Sequence, residues 1–251
     1  MFLETLVRFL DDHLGKSDFP GDSSLNGLQV EGKKRIKKVA LAVDACEQSI
    51  RGAARRGADI LIVHHGLFWG EAAPITGIMA TRVRLLIQSG LSLYACHLPL
   101  DCHPEIGNNA RLAEMLEIRE PVPFGHYKGH DIGLLGALPR PVTAPSFAAR
   151  VRRLLHAPVR TFAFGSPRMT TLGIVSGNGA FLIEAASEAG CDAFLTGEPT
   201  YASYHPARET GMNLFCAGHY ATETVGLESL GTVIKRELDL PVTFIELPSE
   251  L

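Results

Sequence analysis

The chain lacks any long hydrophobic run. Its apolar stretches, such as Ile60 to Val63, fall far short of the roughly 18 residues a membrane-crossing helix needs. It has no C-x-x-C pair. Its five cysteines (Cys46, Cys96, Cys102, Cys191 and Cys216) are odd in number, which favours neither a disulfide framework nor a thiolate zinc site. Reduced thiols, several of them buried as small apolar residues, are expected instead. There is no excess of positive charge. The formal charge is −3, so no broad basic field invites nucleic acid, and no recognition-helix or finger pattern appears. Low-complexity tracts and short repeats are absent. The N-terminal residues lack the basic region and cleavage site of a secretory signal, and Leu3, Leu6, Val7, Leu10 and Leu14 instead fall at helical spacing. The expectation is a cytoplasmic protein without a membrane segment.

What is present is an ordinary globular composition, 46% hydrophobic and 20% charged over 251 residues, enough for one large domain or two modest ones. Strand and helix signals alternate. Val39–Val43, Ile60–Val63 and Leu91–Cys96 read as buried strands, with helices near Glu47–Arg56 and Ala80–Ser89 between them. Continuous β-branched and leucine runs separated by helices predict an α/β fold with a largely parallel sheet covered on both faces. A helix at Asn108–Leu116 follows. Pro121, Pro123 and Gly125 then interrupt the pattern and mark a candidate boundary. Beyond it come strands near Ile132–Leu138, Thr161–Phe164, Leu172–Val175 and Ala193–Leu195, with helices at Ser146–Leu155 and Phe181–Ala189. The chain closes with a strand at Leu214–Ala217, a helix near Thr224–Glu237 and a strand at Val242–Leu247.

Three strand ends carry metal-ligand chemistry. His64 and His65 end the second strand, ahead of Gly66. Asp101 follows the third, four residues after His97. His219 and Glu223 follow the strand at Leu214–Ala217. In open α/β folds ligands bind beyond the carboxyl ends of strands. Histidines with carboxylates form a donor set for divalent transition metals, and here there are more donors than one ion needs. Each signal taken singly has a plainer explanation. One histidine of the doublet could be packed and the other exposed, Asp101 could cap a turn, and Glu223 could complement a helix dipole. Their joint occurrence at three strand ends favours the metal reading. His219 and Glu223, four apart, would share one helical face. His97 stays open between a metal ligand, a group that orients a ligand, and a proton-transfer residue. Paired ions would activate water for hydrolysis of a phosphate ester, amide or amidine-like bond. Ser176-Gly177-Asn178-Gly179 could cradle an anion but reads more simply as a strand–helix turn. Glu198 either faces the cleft or caps a turn.

The segments Leu25–Val30 (LNGLQV), Val63–Trp69 (VHHGLFW), His97–Asp101 (HLPLD) with Asn108-Asn109-Ala110, Ser176–Gly179, Thr196–Glu198 and Gly218–Glu223 (GHYATE) resemble the Nif-three-like dinuclear metal centre family, also called GTP cyclohydrolase type 2 homologues. The resemblance spans nearly the whole chain in order. It implies two interlinked α/β domains: residues 1–124 with 211–251 as the metal-binding domain, and 125–210 as an inserted second domain. It also implies a ring-shaped homohexamer with its metal sites facing an internal cavity. By the same resemblance His64 and His219 would hold one ion, His65 and Asp101 the other, and Glu223 both. Iron, zinc, manganese, cobalt and nickel all suit such ligands. The expected activity is metal-dependent hydrolysis of a nucleotide or related small molecule. The alternative is a non-catalytic protein for metal delivery or scaffolding.

Overall fold

The structure, a computed structural model, describes residues 1–249. Its strands are β1 (Gly27–Val30), β2 (Val39–Asp44), β3 (Ile60–His65), β4 (Ser92–Ala95), β5 (Arg119–Tyr127), β6 (His130–Val142), β7 (Arg160–Ala163), β8 (Met169–Val175), β9 (Ala193–Thr196), β10 (Asn213–Cys216) and β11 (Val242–Phe244). Its α-helices are α1 (Leu3–His13), α2 (Glu47–Arg55), α3 (Gly77–Ser89), α4 (Leu98–Asp101), α5 (Asn108–Met115), α6 (Ala144–Leu155), α7 (Ile183–Glu188), α8 (Tyr201–Glu209) and α9 (His219–Leu238). The fold is α/β, as the alternating pattern predicts. The chain forms two compact units. The first joins Met1–His103 to Gly226–Leu247, and the second holds Pro104–Val225 with Pro248 and Ser249.

The first unit carries a five-stranded sheet in the order β1-β4-β3-β2-β11. β4, β3, β2 and β11 run parallel, and β1 closes one edge antiparallel to β4. Every residue of β4, and all but the last of β2 and β3, is buried. Burial on both sheet faces explains why these strands read as unbroken apolar runs. Ala42, Val63, Leu93 and Ala95 pack with Ile50, Ala53 and Leu86 of the covering helices. In the parallel register Asp44 lies beside His65, and Val63 beside Ala95. The carboxyl ends of β2, β3 and β4 therefore finish at one edge.

The second unit carries a six-stranded mixed sheet, β5-β6-β8-β9-β10-β7. β8, β9 and β10 are parallel, and the outer strands are antiparallel. Its core gathers Phe147 and Val151 of α6, Leu172 and Ile174 of β8, and Phe215 of β10. Phe147 and Phe215 meet edge to face at 4.7 Å between ring centres. Pro121, Pro123 and Gly125 do not break the chain's regular structure here. They lie within β5, which among the described residues pairs only with β6, and an edge strand tolerates proline because one side of its ladder needs no donor. No helix among the described residues is long and apolar enough to cross a membrane.

Candidate metal centre

The first unit gathers three imidazoles. His64 and His65 are the last residues of β3, and His97 immediately precedes α4, two residues past β4. Their ring centres lie 4.8 Å apart for His64 and His65, 5.0 Å for His64 and His97, and 5.8 Å for His65 and His97. One ring nitrogen from each falls within 4.8 Å of the others. Neighbouring strand residues normally point to opposite faces, yet both members of the doublet reach this cluster. Gly66 follows the doublet in a crowded turn: a Cβ there would overlap the Gln29 amide and the Ala95 side chain. That amide fixes the turn by accepting from Leu67 N at 2.7 Å and Phe68 N at 3.3 Å.

Each ring is held from behind through Nδ1. His64 Nδ1 lies 2.9 Å from the Cys96 carbonyl, which can only accept, so this nitrogen donates. His65 Nδ1 faces Asp44 Oδ1 at 2.9 Å. His97 Nδ1 faces Asp22 at 2.9 and 3.1 Å. A proton fixed on Nδ1 directs the Nε2 electron pair forward, the usual arrangement behind metal-binding histidines. Asp22 is itself tightly specified. It accepts from Ser24 N at 3.1 Å, Asn26 Nδ2 at 2.8 Å and Leu98 N at 3.1 Å. Burial works to raise its pKa. The hydrogen bond and charge of His97, with the hydrogen bonds from Asn26 and Ser24, outweigh burial and lower it to about 2. Asn26 also fixes the His97 backbone, accepting from its N–H at 2.7 Å. Trp69 covers the cluster's flank, its ring centre 5.1 Å from that of His97. Asp101 closes the one-turn helix α4 in a buried position. Its Oδ2 is 3.4 Å from His64 Nε2.

The second unit holds His219 and Glu223 on the first turns of α9. Four residues apart, they share one helical face as expected, with His219 Nε2 3.1 Å from Glu223 Oε1. Glu198 approaches the other ring nitrogen of His219 at 3.3 Å. Burial would lower the His219 pKa, but the two carboxylates outweigh it and raise the pKa to about 9. The Ser176–Gly179 loop packs directly against this pair. Gly177 has φ +59°, and a Cβ on it would overlap Glu223 Oε1 and lie 3.1 Å from His219 Nε2. Its N–H donates to Thr222 Oγ1 at 3.0 Å, and Gly179 N–H donates to Thr196 Oγ1 at 3.0 Å. These two amides are engaged within the protein, and the loop acts as the turn that seats Glu223.

Both groups suit a divalent cation. Imidazole Nε2 faces a carboxylate oxygen in each, at 3.4 Å for His64 with Asp101 and 3.1 Å for His219 with Glu223. With its proton on Nδ1, His64 turns an electron pair toward Asp101, an arrangement that a cation stabilises, and at His219 a divalent ion would displace the proton that Glu223 and Glu198 favour. Asp101 and Glu223 are both buried, and a buried carboxylate is costly unless positive charge accompanies it. The sequence reading did not single out Asp22 or Asp44, and held Asn26 and Gln29 only as part of the matching LNGLQV segment, without a role. Asp44 carried a usable signal, being an acid at the end of an apolar strand like the other candidates.

The sequence pattern of the Duf34/NIF3 (NGG1p interacting factor 3) family matches residues 1–250. The chain belongs to this family. It is 44% identical over 248 residues to the GTP cyclohydrolase 1 type 2 homolog of Deinococcus radiodurans, covering 99% of this chain and 94% of that one. A solved structure from Thermus thermophilus superposes with a TM-score of 0.92 at 40% identity over all of both chains. That of the protein ybgI, described as of unknown function, does so with a TM-score of 0.94 at 35% identity, again over both whole chains. The family is thus shared along the entire chain, including every segment that carries a candidate ligand.

Proposed function

We propose that this chain holds a pair of divalent transition-metal ions through His64, His65, Asp101, His219 and Glu223, and acts as a metal-dependent hydrolase on a nucleotide or a related small molecule. One observation carries the reading: the same motif, an imidazole Nε2 against a buried carboxylate, occurs twice, in His64 with Asp101 and in His219 with Glu223. When bound, paired ions supply Lewis acidity that activates water and neutralises charge on the attacked and leaving oxygens. The chain's own residues do the positioning. Cys96 carbonyl, Asp44 and Asp22 hold three imidazoles by their Nδ1 atoms, and Gly177 makes room for Glu223. The nucleotide class is supported by the name of the relatives, GTP cyclohydrolase 1 type 2 homolog. A ring homohexamer in the cytoplasm completes the proposal. The exposed Ile75, Ile78 and Ile87 side chains offer apolar surface that assembly would cover.

A second reading, metal delivery without catalysis, is favoured by one feature. The Gly177 and Gly179 amides, two of those that would read a phosphate, are already bonded to Thr222 and Thr196. Chelator-stripped protein reloaded with each of iron, zinc, manganese, cobalt and nickel, screened against nucleotides and phosphoesters, separates the two. Hydrolysis that depends on metal and is lost in Glu223→Gln supports the enzyme. Metal that passes readily to an acceptor protein, with no turnover in the panel, supports delivery.

A further inference from the structure

The five proposed ligands leave out the best-anchored imidazole of the cluster. His97 is held by a buried carboxylate: the Asp22 side chain is only 1% exposed, and both its oxygens lie within 3.1 Å of Nδ1. Asn26 and Asp22 also fix the backbone on either side, binding His97 N–H and Leu98 N–H. A carboxylate behind a histidine raises the basicity of the opposite nitrogen and fixes its direction, the support that metal-bound histidines receive. A residue with only a packing role would not need four donors converging on one acid. His64 and His65 are braced in the same way, by the Cys96 carbonyl and by Asp44.

We propose that His64, His65 and His97 form an all-imidazole site that takes one divalent ion by itself, with His97 as a metal ligand, and that this is where the first ion enters the centre. The inference rests on the reading above only in that the chain binds metal. It does not require His219 or Glu223. The donor atoms lie within 4.8 Å of one another, against roughly 3.4 Å between nitrogens on a tetrahedral ion with bonds of about 2.0–2.1 Å. Small ring rotations about anchored Nδ1 atoms close that gap. Three neutral nitrogens suit zinc, cobalt or nickel better than magnesium or calcium, which prefer oxygen.

The test uses Co2+ and the full-length chain. His219→Ala with Glu223→Gln disables the second group and should still bind one equivalent of Co2+, seen by metal analysis and by a visible absorption band. Adding His97→Gln should weaken that binding at least tenfold. In the unaltered chain with one equivalent of Co2+, three paramagnetically shifted imidazole N–H resonances are expected, and His97→Gln should remove one. Thermal unfolding verifies that each variant is folded, and the resonance count serves if the double variant is not. A folded double variant that binds no Co2+, beside an unaltered chain that binds two ions, overturns the inference and leaves the five-ligand reading standing. Unchanged affinity or an unchanged resonance count on His97→Gln overturns it as well. An unaltered chain that binds one ion, insensitive to Glu223→Gln and lost with His97→Gln, supports the inference and removes the five-ligand reading. A chain that binds no metal removes both.

Discussion

Replacing Asp22 by Asn puts two N–H donors where the surroundings supply only donors. Ser24 N and His97 Nδ1 point at Oδ1, and Asn26 Nδ2 and Leu98 N point at Oδ2. Either orientation of the new amide sets its NH2 against one of these pairs, and each buried donor left unsatisfied costs about 1–3 kcal/mol. The charge gives a second route to the magnitude. A carboxyl moved from 3.8 to about 2 favours the folded, ionised state by roughly 2.4 kcal/mol at neutral pH. The expected loss is therefore about 2–4 kcal/mol. For a chain of this size that is a fall of roughly 5–15 °C in the midpoint of the transition that unfolds the first unit. Because the folded pKa is lowered, this contribution is fully present above 3.8 and disappears as pH falls through about 2. The gap between Asp22→Asn and the unaltered protein, measured by denaturant titration at neutral pH and again in acid, should narrow on acidification. A neutral-pH difference under about 0.5 kcal/mol would refute the reasoning, since surface substitutions alone reach that size.

Further outcomes follow from the second unit. Gly177→Ala and Gly190→Ala both place a Cβ at positive φ, +59° and +79°, at a strain of about 1 kcal/mol each. Only Gly177→Ala overlaps Glu223, while the space around Gly190 is open. Metal analysis should show depleted occupancy in the first variant and normal occupancy in the second. Asp192 accepts from Thr170 N and Oγ1, each at 2.7 Å, and from Thr171 N at 3.1 Å. Burial raises its pKa, but these hydrogen bonds outweigh burial and lower it. Its stabilisation is present above the ordinary carboxylate value and lost in stronger acid. Asp192→Ala should cost about 1–2 kcal/mol at neutral pH in urea denaturation, with the difference shrinking in acid.

The parallel strands were legible because burial on both faces writes them as unbroken apolar runs. Val39–Val43 and Ile60–Val63 fall inside β2 and β3, sharing their first residues and stopping one or two short of their ends. Other elements were not. β1 has one buried residue out of four, and such a short, half-exposed edge strand carries little periodic signal. α8 contains Pro206. Its start is instead marked by Thr200 and Ser203, whose side chains cap each other's backbone N–H groups. Strand partners are also invisible locally: β10 sits between β9 and β7 because of contacts distant in sequence. At the candidate centre, histidines and acids at strand ends stood out because those residue types are rare at the mouths of apolar runs. Asp22 comes from a loop where acids are common, and Asn26 and Gln29 were marked only as members of the LNGLQV match; only the fold reveals what the three hold.

The most direct test of the account is anomalous diffraction from crystals of the zinc-loaded full-length chain. Two peaks per chain are predicted, one bonded by His64 and the other by His65, each sharing a Glu223 oxygen. A single peak, or ions whose ligands do not include Glu223, would contradict it.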